Sequence, residues 1–178
     1  MFRWITPHYR VERVEQLTAE RLGRFGLRAL LVDVDCTLKR YRADEIPADV
    51  AEWVRGLVHR GIGFCLASNG RGRRIRRLAE KLGVPCLAKA LKPLPFRLRR
   101  AVRRMGFPVE QTAMVGDQLF ADVMAGRLAG LRTILVSPIH PEDEPWFTRL
   151  KRPAERLLLR RMEIPEGSAE LGSGTPSG

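Results

Sequence analysis

Asp33 and Asp35 stand two residues apart at the end of a continuous apolar run, Ala29-Leu30-Leu31-Val32. Side chains at i and i+2 of an extended segment point the same way, so both carboxylates face one pocket. Such a pair can divide phosphoryl transfer: one carboxylate attacks phosphorus, and the other protonates the leaving oxygen and then activates water. Two close like charges also call for a cation, and an oxygen-rich site suits Mg²⁺. A further acid, Asp117, closes a later apolar run through Gly116, and Asp122 follows one helical turn on. Ser68 ends the run Ile62-Gly63-Phe64-Cys65-Leu66-Ala67, and Lys92 stands just before Pro93. A hydroxyl and an ammonium at those places can hold phosphate oxygens and offset their charge.

The elements that must position these residues are legible as five short apolar runs, near 29–34, 62–67, 84–88, 112–115 and 133–136. Segments with helical spacing lie between them, at about 48–60, 71–82, 94–105 and 119–129, with a last one at about 153–162. Gly61, Gly83, Gly106 and Gly130 fall just past the first four, where a left-handed cap is wanted. The alternation predicts an α/β domain with a mainly parallel sheet of about five strands and helices on both faces. Ligands of such a sheet bind beyond the carboxyl ends of its strands, where all the candidate residues lie. The last helix, with Leu157, Leu158 and Leu159, is expected to pack on the sheet's outer layer.

Four pieces, Asp33-x-Asp35-x-Thr37, Ser68, Lys92-Pro93 and Gly116-Asp117-x4-Asp122, resemble in order the four motifs of the haloacid dehalogenase (HAD) superfamily. The resemblance sharpens towards the YqeG-like phosphatases of subfamily IIIA, the group related to mitochondrial phosphatidylglycerophosphate phosphatases. It rests on Ala67-Ser68-Asn69, Ala90-Leu91-Lys92-Pro93, the stretch from Gly116 to Val123, and Thr148-Arg149-x-x-Arg152-x-x-Glu155-Arg156. It implies a Rossmann-like fold and an Mg²⁺-dependent phosphomonoester hydrolase working through an aspartyl-phosphate. Asp33 would be nucleophile and metal ligand, and Asp35 the acid/base whose backbone carbonyl also reaches the metal. Thr37, Ser68 and Asn69 would bind phosphate together with Lys92, which also stabilises the phosphoaspartyl state. Asp117 would complete the metal site, with Asp122 behind it. Cys36 stands where this family usually has Asn. About 30 residues separate Thr37 from Ser68 and about 23 separate Asn69 from Lys92, each accounted for by one helix and one strand, so no cap domain is expected.

The chain has 178 residues, 44% hydrophobic and 29% charged, and fits one catalytic domain over 1–165. Gly, Ser and Pro dominate 166–178, which reads as a disordered tail. Three cysteines without metal-ligand spacing, and no cleavable leader pattern, fit a cytoplasmic protein. Cys36 to Arg42 and Cys65 to Arg71 mimic the Cys-x5-Arg of cysteine phosphatases, but one cysteine follows two carboxylates and the other lies inside an apolar strand. The formal charge of +12 predicts attraction to anionic partners. Phosphatidylglycerophosphate is the leading substrate, and basic helices around 97–104 and 149–161, with Phe2, Trp4 and Ile5, are candidates for peripheral contact with the inner face of a membrane. Arg71, Arg73 and Arg74 are candidates for a second anionic group of the substrate. Rival readings are a module that docks on RNA, a ribosome or a membrane with weak turnover, and a phosphatase of nucleic-acid ends or sugar phosphates. No aromatic cluster accompanies the basic helices to favour nucleic acid.

Overall fold

Successive side chains along the strands point to opposite faces and are buried on both, which sorts the helices into two layers around a sheet. The computed structural model describes residues 4–162 except 42, 71, 144, 145 and 151. The expected tail, Phe2, Arg42, Arg71 and Lys151 therefore lie outside the described residues. Six strands, β1 (Tyr9–Val11), β2 (Ala29–Val32), β3 (Gly63–Ser68), β4 (Cys86–Ala88), β5 (Thr112–Gly116) and β6 (Arg132–Val136), form one sheet in the order β1-β6-β5-β2-β3-β4. Every neighbouring pair is parallel. The five expected strands are all present, and β1 adds a sixth at the edge beside β6.

Leu30 and Val32 of β2 pack with Phe64, Leu66, Ala113 and Val115 on one face. Helices α2 (Ala48–His59) and α3 (Gly72–Leu82) cover that face through Val54, Leu57, Ile75 and Leu78. The short α1 (Ala19–Arg24) adds Leu22 to the same core. Leu31, Cys65, Ala67 and Met114 point to the other face, where α4 (Phe96–Met105) and α5 (Met124–Ala129) supply Leu98, Val102, Ala125 and Ala129. α5 sits close: a Cβ on Gly126 would come within 2.5 Å of the Thr133 methyl and 2.8 Å of Met114 Cβ.

The helix expected from Leu119 begins instead as a π-helical turn, Leu119–Val123, before α5. Such wide turns concentrate at functional sites. Beyond β6 come α6 (Trp146–Arg149) and α7 (Arg152–Arg161). Leu158 and Leu159 of α7 pack on Leu119, Val123 and Leu135, so this helix packs against the fold as expected but sits beside the carboxyl ends of β5 and β6, and Leu157 is left exposed. Among the described residues, the stretches between Thr37 and Ser68 and between Asn69 and Lys92 hold α2 with β3 and α3 with β4, and no inserted domain.

Candidate active site

The carboxyl ends of β2, β3 and β5 meet at one buried lysine. Asp33 continues β2, its N–H donating to Val115 O at 2.9 Å. Lys92, following β4, donates from Nζ to Asp33 Oδ1 at 2.5 Å, Asp122 Oδ1 at 2.6 Å and Ala67 O at 2.9 Å. All three donor positions of the ammonium are thus used. Burial works against the charge on Lys92, but Asp122 and Asp33 outweigh it and hold the ammonium well above its ordinary range. Burial pushes Asp33 up to about 8; Asp122 and Asp117 push the same way and Lys92 opposes them.

Asn69 fixes where Lys92 stands. Its amide donates to Lys92 O at 2.9 Å and accepts from Lys92 N–H at 2.8 Å, next to the cis Lys92–Pro93 bond. The side chain expected to bind phosphate is therefore committed to holding the lysine. Ser68, at the end of β3, is buried, and its Oγ accepts from Gly70 N–H at 3.0 Å.

Asp35 lies across a tight turn in which Cys36 N–H donates to Lys39 O at 2.8 Å. Cys36 takes φ of +65° there, a conformation Asn adopts more readily than Cys, so the family's usual residue suits the backbone better than this chain's. The Asp35 carboxylate accepts from Lys39 Nζ at 2.7 Å and from Arg74 of α3. Lys39 is fully buried and also donates to Arg40 O at 3.0 Å. Thr37 donates to Asp117 Oδ1 at 3.1 Å, tying the β2 loop to the end of β5.

Asp33, Asp117 and Asp122 each offer a carboxylate oxygen within 4.8 Å of the others, all three buried. Asp122 thus stands inside the carboxylate cluster rather than behind it, with Oδ2 accepting from Gln118 N–H at 3.1 Å. Gly116 makes this possible: a Cβ there would lie 2.3 Å from Asp122 Cγ. An all-oxygen, buried set of three carboxylates fits a hard divalent cation such as Mg²⁺. The Asp35 carboxylate is not in that set.

Asp117 also receives Arg152 of α7, which donates to Oδ2 and, at 2.7 Å, to the backbone carbonyl. Arg152 in turn pairs with buried Glu155 at 3.2 Å, and Glu155 accepts from Phe120 N–H at 3.3 Å. α7 is thereby pinned to the π-helical turn that carries Asp122. Five carboxylates, Asp33, Asp35, Asp117, Asp122 and Glu155, share four cations, Lys39, Lys92, Arg74 and Arg152.

Asp33, Asp35, Thr37, Asn69, Lys92, Asp117 and Asp122 are joined in this cluster by hydrogen bonds, Ser68 ends β3 beside it, and Arg74 reaches it through Asp35. What the sequence reading lacked was a role for Lys39 and for the Arg152–Glu155 pair; the one signal for Lys39 was its place four residues after Asp35. Cys65 is buried in β3, and burial with nearby Cys86 pushes its thiol up to about 12, so it cannot supply a thiolate nucleophile.

A family profile described as haloacid dehalogenase-like hydrolase matches residues 4–130. The chain is 32% identical over 161 residues to the probable phosphatase YqeG of Bacillus subtilis strain 168, covering 90% of this chain and 93% of that one. It is 25% identical over 174 residues to the chloroplastic/mitochondrial phosphatidylglycerophosphate phosphatase 1 of Arabidopsis thaliana, covering 89% of this chain and 48% of that protein. The chain thus spans about half the length of the plant relative. In fold it is similar to the cobalt-bound deoxy-D-mannose-octulosonate 8-phosphate phosphatase (YrbI) of Haemophilus influenzae, with a TM-score of 0.54 and 19% identity, over 65% of this chain and 70% of that one.

Proposed function

Because the chain belongs to the haloacid dehalogenase-like hydrolases, we propose that it is an Mg²⁺-dependent phosphatase in which Asp33 attacks the phosphorus of a phosphomonoester. The observation that carries this reading is the buried Lys92 ammonium, shared between Asp33 and Asp122 beside a three-carboxylate cluster. A binding scaffold has no need of so costly a buried arrangement.

In the first step an Asp33 oxygen forms a bond to phosphorus and the ester P–O bond breaks, with Asp35 giving its proton to the departing alkoxide. In the second, Asp35 takes a proton from water as the water oxygen attacks phosphorus, releasing phosphate and the Asp33 carboxylate. Lys92 stays cationic throughout and offsets charge that gathers on the transferring group. Thr37, Ser68 and backbone groups near Asn69 cradle the phosphoryl oxygens. Asp33 and Asp117, with the Asp35 carbonyl, would hold Mg²⁺, and Asp122 would steady that set. When bound, the cation supplies positive charge that keeps Asp33 ionised and polarises the phosphoryl group.

The substrate we favour is phosphatidylglycerophosphate, on the likeness to the plant relative, the formal charge of +12 and the absence of an inserted cap over the site. No helix among the described residues is long and apolar enough to cross a membrane. The proposed catalytic domain of residues 1–165 would work in the cytoplasm, with its basic surface meeting the membrane's inner face peripherally. Phosphate release with and without Mg²⁺ tests this, from phosphatidylglycerophosphate, end-phosphorylated RNA and small phosphomonoesters, with Asp33→Asn as control. Release that survives Asp33→Asn defeats the mechanism, and preference for RNA ends defeats the substrate.

A further inference from the structure

A cleft of about 860 Å³ adjoins the site, between the end of β6 and helices α6 and α7. It does not include Asp33 or Asp35, and meets the catalytic cluster through Asp117 and Arg152. Its size is that of a small-molecule site. Its charges are unequally committed. Of the carboxylates that line it, Asp117 and Glu155 accept from Arg152, and Glu142 pairs with His140 at 2.7 Å. Arg10, Arg149 and Arg156 also line it, and none of their guanidinium groups has a hydrogen-bond or ion-pair partner among the described residues.

The remaining wall is apolar. Leu119, Leu135 and Leu159 lie along the inside. Trp146 and Leu150 stand at the rim, 76% and 73% exposed. Uncommitted guanidiniums facing an apolar wall suit an amphiphile: an anion held by the arginines, with hydrocarbon or a glycerol backbone against the leucines.

We propose that this cleft is the leaving-group subsite, binding an alcohol that carries a second, anionic phosphate on an apolar body, with Arg149 and Arg156 holding that phosphate. The inference rests on the phosphatase reading and deepens it. A monoester seated at Asp33 directs its alcohol out of the site, and the cleft that begins at Asp117 receives it. Selectivity then comes from the second anion, and the chains leave past Trp146 towards the membrane.

Three soluble probes separate the contributions: p-nitrophenyl phosphate, with one phosphate; glycerophosphoglycerol phosphate, with two and no chains; and its dihexanoyl form, with both. Arg149→Ala and Arg156→Ala are expected to raise KM for both two-phosphate probes roughly tenfold to a hundredfold relative to p-nitrophenyl phosphate. Arg149→Glu should do so more strongly, and Trp146→Ala should raise KM for the dihexanoyl probe alone. Arg149, Arg156 and Trp146 are exposed, so their replacement leaves the core intact. Equal losses on all three probes, or none, overturn the subsite while the phosphatase reading stands. A wild-type protein that releases phosphate from p-nitrophenyl phosphate but discriminates against both two-phosphate probes overturns it too. Release from none of the three defeats the underlying reading, and this inference with it.

Discussion

Replacing Lys92 with Met keeps the length of the side chain and removes the charge that joins three strand ends. The side chains of Lys92, Asp33 and Asp122 are 3%, 9% and 2% exposed, so water cannot stand in for the lost ammonium. Removing one member of a buried ion pair costs about 3–5 kcal/mol, mostly from the charge left behind. Here two carboxylates are left, but Asp33 can take up a proton because burial has already pushed it up to about 8. One uncompensated charge, on Asp122, therefore dominates, and the expected loss is about 3–4 kcal/mol. Asp122→Asn in the Lys92→Met background removes that charge. Urea denaturation of wild type, both single variants and the double variant, without divalent metal, gives the coupling. The double variant should be more stable than the sum of the singles by about 2 kcal/mol or more. Additivity to within about 0.5 kcal/mol would refute the argument that Lys92 and Asp122 form one buried unit.

Gly116→Ala forces the Asp122 carboxylate away from its place, since the new methyl would lie 2.3 Å from Cγ; turnover is expected to fall about a hundredfold, read from initial rates at saturating Mg²⁺. Arg152→Met strips both Asp117 and Glu155 of their cation and should cost about 3 kcal/mol in urea denaturation. Arg152→Lys should restore only part, because an ammonium lacks the fork that spans both acids. Burial, then Arg127 and Arg132, lowers His8 from 6.5 to about 4, so the unfolded chain binds a proton there that the fold rejects. Stability is therefore full above about pH 6.5 and falls as pH drops towards 4, by on the order of 1 kcal/mol after allowing for the half-exposed ring, and His8→Gln should flatten that slope in denaturation midpoints measured across this range.

The four inner strands were legible because burial on both faces demands unbroken apolar runs, as in Ala29–Val32, and the partly buried edge strand β4 still carries the apolar run Val84-Pro85-Cys86-Leu87-Ala88. β1 was not: three residues with exposed Arg10 at the centre carry no such run, and its place depends on pairing with β6, more than a hundred residues away. The acids of the site were legible because strand ends fix their position. Their counter-ions were not, because 32 lysines and arginines offer no local sign of which few are buried. Lys39 and Arg152 differ from the surface cations only in what the fold packs around them. Asn69 shows the same limit: its place in the chain is that of a phosphate ligand, while its amide is occupied by the Lys92 backbone. The π-helical turn after Asp117 escaped notice because its apolar spacing reads as an ordinary helix.

The sharing of four cations among five carboxylates bears on how ligands enter. By formal charge the cluster carries one excess negative charge, so a phosphomonoester dianion arriving alone raises that excess to three in a buried place, whereas Mg²⁺ arriving alone leaves one excess positive charge. Together they return the cluster to its resting charge. The metal and the phosphoryl group should therefore each raise the other's affinity by the same factor, as linkage requires. The phosphoryl group would then be weakly held until Mg²⁺ is in place, a gate made of charge balance where no inserted domain closes over the site among the described residues.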